Sequence, residues 1–456
     1  MTCGAPESLE KQAKTSSFSA LRLLGLRIGG IRYAVSKFNL KPIFIVAAGN
    51  GGSAAMSILA TWMVATKLTP AQFGVFSLAL AIMTVLQEIG GPSLDLAIVR
   101  FAAAHSRSDP LRAEAYFRAG YRLKLLVSGL LCASLALLAG FLADDIYHEQ
   151  RLRPLFYWMA AGLVAANLST FILARLQAAE QFVAYSAQRV LVNLLKVILL
   201  ALAWAAYSLD LQTAPAAWTL SFVITYVIGV WVCPAPRGQP RVMPGDRPYA
   251  EIAGFAKWVM LSGLCFAVHM RADILFLGSF RTAAEAGYYS IAWNLMLLLD
   301  LITSSVISAL MPRASKIRAP GETAGFGWTI FASSAIIAAA VLPLYFFSDR
   351  IITIFFPKYL PAIDAFHILF WSSIIVLLIY PLYLSFYSQN KPARVSVTYS
   401  ILVLASVTVG LTIIPEYGLP GAAYTTFIAR VIGGIVILTF LFLDWHRRQG
   451  VAASNV

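Results

Sequence analysis

Long apolar runs recur along the whole chain, each followed by a polar turn. They lie at about 42–68, 73–94, 125–142, 155–176, 182–207 and 216–232, and again at 252–277, 287–311, 327–347, 364–387, 396–414 and 422–443. Each has the length, roughly 17–25 residues, at which an α-helix crosses a bilayer. The pattern predicts an all-α integral membrane protein of about twelve transmembrane helices. Most connections on one side are about ten residues or fewer, which leaves little space for a domain there.

Two segments of the pattern repeat. FGVFSLALAIM at 73–83 returns, altered, as AGYYSIAWNLM at 286–296, an offset of 286 − 73 = 213. VAYS at 183–186 pairs with VTYS at 397–400, where 397 − 183 = 214. Landmarks displaced by nearly the same distance indicate an old duplication. The boundary between the copies is CPAPRGQPRVMPGDRP at 233–248, rich in Pro, Gly and Arg and without apolar period, which reads as a linker. The expected organisation is a basic tail (1–40), a six-helix bundle (41–233), the linker (234–249), a second six-helix bundle (250–445) and a short tail (446–456). An even number of helices per copy gives both the same orientation, related by a parallel pseudo-two-fold axis along the membrane normal. Duplicated halves in so apolar a chain point to alternating access, with the site where the halves face each other.

Composition agrees: 59% of the 456 residues are hydrophobic and 12% charged, too little charge to cover a soluble surface of this size. A net charge of +14 would suggest nucleic acid in a soluble protein. Here the cations are distributed by side. They crowd the first forty residues, the stretch from Arg100 to Lys124, the linker, Arg313 to Arg318, Lys391, Arg394, Arg447 and Arg448. The opposite loops hold only Lys67, Arg151, Arg153, Arg281, Arg350 and Lys358. This asymmetry places both termini in the cytoplasm and removes nucleic acid as a partner. Within the tail, Leu21, Leu24, Ile28, Ile31, Val35 and Phe38 share a helical face bordered by Arg27 and Arg32. That face predicts a helix lying on the cytoplasmic surface, the alternative being a basic tail that only sets topology. The four cysteines and five histidines are scattered without ligand spacing, so no metal site is expected.

A charge inside the bilayer costs about 2.5–3.5 kcal/mol even on the mild insertion scale, so each one needs a reason. Arg189, Asn193 and Lys196 form one stripe on the fifth helix. It reads as an anion site, or as snorkelling of Arg189 with an ion pair for Lys196. Lys257 and Arg271 share a face of the seventh helix, with Asp273 near enough to neutralise Arg271. Arg430 lies halfway along the last helix and should face the interior. Thr84, Gln87, Glu88 and Asp95 are placed on one face of the second helix, and Asp300, Thr303 and Ser304 on one of the eighth. Glu88, Asp300 and Asp273 are candidates for H+ or Na+ coupling and equally for counter-charges. Asn50-Gly51-Gly52-Ser53 is expected to break the first helix, with Gly263 at the equivalent place in the seventh; these glycines serve as hinges or as close-packing points. Asp144-Asp145 belongs to a loop, and no outer catalytic domain accompanies it, which argues against a membrane glycosyltransferase or ligase.

KLTPAQFGVFSLALAIM (67–83), ARLQAAEQFVAYS (174–186), DILFLGSFRTAAEAGYYSIAWNLM (273–296), MPRASKI (311–317) and FFPKYLPAIDAFHIL (355–369) resemble the polysaccharide-transporter branch of the multidrug/oligosaccharidyl-lipid/polysaccharide (MOP) exporter superfamily, which includes the O-antigen and exopolysaccharide flippases. The likeness spans nearly all of 40–445. It implies a MATE-like fold of two six-helix bundles in a V and a non-enzymatic transporter of the bacterial inner membrane. It also implies a polyprenyl-pyrophosphate-linked glycan as cargo, moved from cytoplasm to periplasm for surface polysaccharide synthesis. The lipid tail would stay in the bilayer through a gap between the first and eighth helices. Polysaccharide polymerase and glycosyltransferases are the implied protein partners, and no organic cofactor is. On this reading Lys196, Arg430 and Arg271 bind the pyrophosphate beside Asn193, with Arg189 and Lys257 at the inner mouth. The first helix lacks the arginines of the lipid II flippases, which disfavours a peptidoglycan precursor. A cation-coupled multidrug exporter of the same fold is the alternative; the cationic cavity speaks against it, and Glu88 and Asp300 for it.

Overall fold

The structure is a computed structural model that describes residues 41–106, 108–233, 242–243, 245–314, 320–389, 391 and 393–454. The surface helix predicted within 1–40 lies outside the described residues. Helices α1 (Lys41–Lys67), α2 (Pro70–Gly90), α3 (Pro92–Ser106), α4 (Pro110–Phe141), α5 (Leu152–Ala178), α6 (Phe182–Ala205) and α7 (Thr213–Val232) precede the linker. After it come α8 (Pro248–Phe280), α9 (Ala283–Ala314), α10 (Pro320–Val341), α11 (Pro343–Phe355), α12 (Ala362–Ile379), the short α13 (Leu384–Ser388) and α14 (Ala393–Ser454). No strand occurs among the described residues.

Local chemistry sets the breaks. Thr69 and Gln72 form a reciprocal capping box at the start of α2, with Pro70 in the first turn. Pro343 follows a 41° bend between α10 and α11. Within α14, Gly418 takes φ 58° and ψ −128°, flanked by Pro415 and Pro420. That left-handed backbone suits glycine and divides α14 into two crossings.

Nine helical segments among the described residues are long and apolar enough to span a membrane, or ten with the bent α10–α11 pair. Dividing α14 at Gly418 and adding α1 gives the predicted twelve. Leu126, Leu130 and Leu137 of α4 are 60%, 62% and 85% exposed, a row of leucines of the kind that faces lipid in a membrane-spanning helix.

The halves pack alike. α1 lies on α6, α4 on α5 and α5 on α7; correspondingly α8 lies on α14, α10 on α12, and α12 on α14. They meet where α2 crosses α9, the closest single helix pairing between them, and where α8 lies along the first half. A Cβ on Gly74 would lie 1.7 Å from the Ala283 carbonyl oxygen, and one on Gly287 would lie 2.1 Å from that of Pro70. Both pairings obey the repeat, since 74 + 213 = 287 and 70 + 213 = 283. The contact is therefore reciprocal, as a two-fold axis requires. Glycine at both positions lets the backbones touch.

This crossing lies near the end of the molecule opposite the linker, here called the far end. There the halves are also clasped by hydrogen bonds from Trp62 Nε1 to the Phe355 carbonyl (3.2 Å), Lys358 Nζ to that of Thr66 (2.8 Å) and the Tyr359 hydroxyl to that of Ala65 (2.9 Å). Symmetry fails beside the axis. α8 packs along α2 and α3, whereas its counterpart α1 has no comparable packing on α9. At the linker end, Arg112 grips Asp246 at 2.6 and 3.0 Å, and the guanidinium holds that carboxyl below the usual carboxylate range.

Two expectations are corrected. α1 is continuous through Asn50–Ser53: Ser53 donates to the Arg189 carbonyl (3.2 Å), and Gly49 rather than Gly51 abuts α6, at Ser186. Gly263 likewise sits within unbroken α8, where a Cβ would come 2.5 Å from Glu88 Oε1. The stripe Thr84–Asp95 does not share one face either. The chain breaks at Gly91-Pro92, and Asp95 turns into the first half on α3.

Candidate substrate cavity

Directly inside the α2–α9 crossing, the repeated segments enclose a cavity of about 270 Å³. Its walls are related by the duplication. Phe76 and Tyr289, Ser77 and Ser290, Leu80 and Trp293, Thr84 and Leu297 all line it, and each pair is 213 positions apart.

The cations in the wall break this symmetry. Lys196 reaches the cavity from α6 and Arg271 from α8. The counterpart of Lys196 is Gly410 (196 + 214), where a Cβ would come 2.7 Å from the Phe276 ring. The second half thus needs glycine there for α8 to close on α14, and only the first half is free to carry a lysine.

Four cations lie deep among the described spans: Lys124, Lys196, Arg271 and Arg430. Two are neutralised. Lys124 pairs with Asp95 and donates to Thr170 (2.8 Å). Arg430 holds both oxygens of Asp300, at 2.6 and 3.2 Å, and reaches Ser373. The other two have no carboxylate partner among the described residues, and both line the central cavity. Lys196, 6% exposed, donates to Asn193 Oδ1 (3.1 Å) and lies 4.3 and 4.7 Å from the Trp218 and Phe222 rings. Asp273 does not pair with Arg271. It accepts from Tyr289 (2.9 Å) and Thr426, and its other oxygen has no partner among the described residues. The Trp293 indole N–H, buried in the cavity wall, is also unpartnered there. The wall therefore offers two cationic side chains without a carboxylate partner among the described residues, set among aromatic rings and neutral polar groups such as Thr61, Ser77, Gln87, Ser290 and Asn294. That chemistry suits an anion.

A second cavity, about 470 Å³, lies within the first half and shares Lys196 with the first. Arg189, Asn193, Gln177 and Tyr185 line it toward the linker end. Arg189 is seven residues from Lys196, about 10 Å along the helix. The two cavities together run from Arg189 past Lys196 to Arg271.

Residues 40–318 match the model of a family described as polysaccharide biosynthesis protein. The chain belongs to that family. A search of curated proteins finds no match. Among solved structures, the lipid II flippase MurJ in an inward closed conformation superposes with a TM-score of 0.72 at 12% identity, covering 87% of each chain. An inward-facing multidrug resistance MATE family transporter of the MOP superfamily gives 0.66 at 14% identity, over 88% of this chain and 96% of that one. An outward-facing MATE transporter gives 0.60 at 14%, over 91% and 97%. The family member thus has the MOP fold, with two six-helix bundles in parallel pseudo-symmetry.

The remaining predicted residues lie apart from the cavity. Lys257 is exposed, 5.3 Å from the Trp258 ring, and lines neither cavity. Glu88 accepts from Ser93 (3.2 Å) against α8. Sequence reasoning missed Trp218, Phe222 and Trp293. Their aromatic character is ordinary in any apolar helix, and only the repeat register (80 + 213 = 293) offered a signal for Trp293. It also placed Lys124 in a cytoplasmic segment, whereas α4 carries it fully buried into the first half.

Proposed function

We propose that the protein is a flippase carrying a polyprenyl-pyrophosphate-linked oligosaccharide across the inner membrane by alternating access. One observation carries the reading: the two deep cations without a carboxylate partner share a single cavity on the pseudo-two-fold axis. Leaving Lys196 and Arg271 uncompensated in a low-dielectric site is costly, and a bound anion supplies the missing counter-charge. A pyrophosphate has the charge and the acceptor oxygens to meet both. The linker end, rich in Lys and Arg, is assigned to the cytoplasm, and the clasped far end to the periplasm. The loose side between α1 and α9 supports lateral placement of the prenyl tail in lipid. Arg189 and Asn193 serve the inner approach. Arg430, committed to Asp300, holds α9 to α14 in this state. For coupling to H+ or Na+, Asp273 behind Tyr289 is better placed than Glu88 or Asp300, having one oxygen free of protein partners. Surface polysaccharide synthesis is the pathway implied.

Native mass spectrometry of the purified protein with polyprenyl pyrophosphate tests this. Wild type should retain it in preference to the uncharged prenol. Lys196→Gln and Arg271→Gln should each weaken retention about ten-fold or more, as expected for a hydrogen bond to a charged group. Equal retention by the variants, or selective retention of a cationic dye by wild type, overturns the reading; the dye result would favour a drug exporter.

A further inference from the structure

A third cavity, about 440 Å³, lies on the outer face of the first half at the linker end, off the pseudo-two-fold axis. It shares no lining residue with the central cavity. α4 and α7 both pack on α5 without packing closely on each other, which leaves a groove floored by α5. Arg118, Arg122 and Arg175 line it together with Tyr121, Tyr226 and Phe171. Glu114 is the carboxylate in its wall, bonded to Arg118 (3.4 Å) and Arg175 (3.0 Å), so three cations against one anion leave the groove at +2. The Tyr121 and Tyr226 hydroxyls meet across it at 3.2 Å.

The flanks identify the occupant. Immediately along α4 from the arginines, Leu126 and Leu130 are 60% and 62% exposed, and on α7, farther from the linker than Val230, Val223 and Val227 are 39% and 48% exposed. A ligand here faces cations at one end and open hydrocarbon surface at the other. Free phosphate uses only the first, and a neutral lipid only the second. We propose that this groove binds the phosphodiester head group of an anionic glycerophospholipid from the leaflet at the linker end, with its acyl chains along α4 and α7. The inference does not depend on the cargo assignment, because the groove and the central cavity are separate.

The test uses the purified full-length protein exchanged into neutral detergent. Phosphatidylglycerol and phosphatidylcholine with identical chains are offered in competition, and retained lipid is counted by native mass spectrometry. Wild type should prefer phosphatidylglycerol. Arg118→Gln/Arg122→Gln should reduce that preference by roughly ten- to thirty-fold, about five-fold for each surface cation. Arg350→Gln, far from the groove, should leave it unchanged. If the double variant is not monodisperse, Arg122→Gln alone is read, with a five-fold loss expected. Unchanged preference in the groove variants, equal retention of the two lipids, or inorganic phosphate displacing phosphatidylglycerol at millimolar concentration would each overturn the proposal. Loss of polyprenyl pyrophosphate binding in Lys196→Gln with phosphatidylglycerol preference intact would show the two sites to be distinct.

Discussion

Arg430 and Lys196 are both buried cations in apolar helices, yet their surroundings assign them opposite consequences. Arg430 is 3% exposed and fastened to Asp300 by two hydrogen bonds, so removing either partner strands a charge. Breaking a buried pair from one side typically costs about 3–5 kcal/mol, whereas replacing both partners with apolar groups is often neutral. Arg430→Met should therefore lower the thermal midpoint in detergent markedly, and Arg430→Met/Asp300→Leu should recover most of the loss. Lys196→Met removes a charge that has no carboxylate partner, so its midpoint should be unchanged or higher while pyrophosphate retention falls. If Lys196→Met were as destabilising as Arg430→Met, the lysine would be a structural member of the bundle. Sequence alone could not separate these two residues. Both are lone cations in apolar runs, and the distinguishing carboxylate lies 130 positions away, on α9.

At the scale of elements, the duplicated segments do more than repeat. Their glycines form the crossing of α2 and α9, and the faces just inside it form the cavity walls. Adding one methyl at Gly74 would bring it 1.7 Å from a backbone carbonyl, a distance no rotamer change relieves, so the helices must part. Gly74→Ala and Gly287→Ala should have matching effects because the contact is reciprocal. Each should cost about 1–3 kcal/mol as overpacking and increase far-end access to the cavity. Access can be read as the labelling rate of Ser77→Cys by a membrane-impermeant thiol reagent, with Cys3, Cys132, Cys233 and Cys265 replaced. A large effect from Gly74→Ala with none from Gly287→Ala would contradict a two-fold contact. The register that links these glycines was legible in the sequence as the offset of 213. Their contact was not, since the repeat says which residues correspond but not which ones touch. The number of crossings was readable from apolar length. The rotation at Gly91-Pro92 was not, because one glycine-proline pair redirects Asp95 without interrupting the hydrophobic run.

For the whole molecule, the far end carries the crossing and three hydrogen bonds, from Trp62, Lys358 and Tyr359, each joining the end of α1 to the 355–359 segment. These bonds exist only while the far end is shut, so they contribute to that state and to no state in which the halves have separated there. A conformational equilibrium moves by the difference in free energy between its two states. A typical hydrogen bond contributes about 0.5–1.5 kcal/mol net, so losing one shifts the ratio of closed to open by roughly two- to twelve-fold. Tyr359→Phe removes one such bond while preserving the ring that packs on Phe73 at 5.7 Å, and Lys358→Met removes another. Together they should enlarge the far-end-open population by about ten-fold or more. Spin labels at Tyr207 and Tyr417, which are 94% and 61% exposed on the two halves at the far end, report this as growth of a longer-distance population in pulsed dipolar spectra. Adding a pyrophosphate ligand that bridges Lys196 and Arg271 should alter the same ratio in wild type, because those residues come from different halves. Unchanged distances in Tyr359→Phe/Lys358→Met would mean that the clasp is incidental and that the α2–α9 crossing alone holds the far end closed. In that case the glycine variants should still open it.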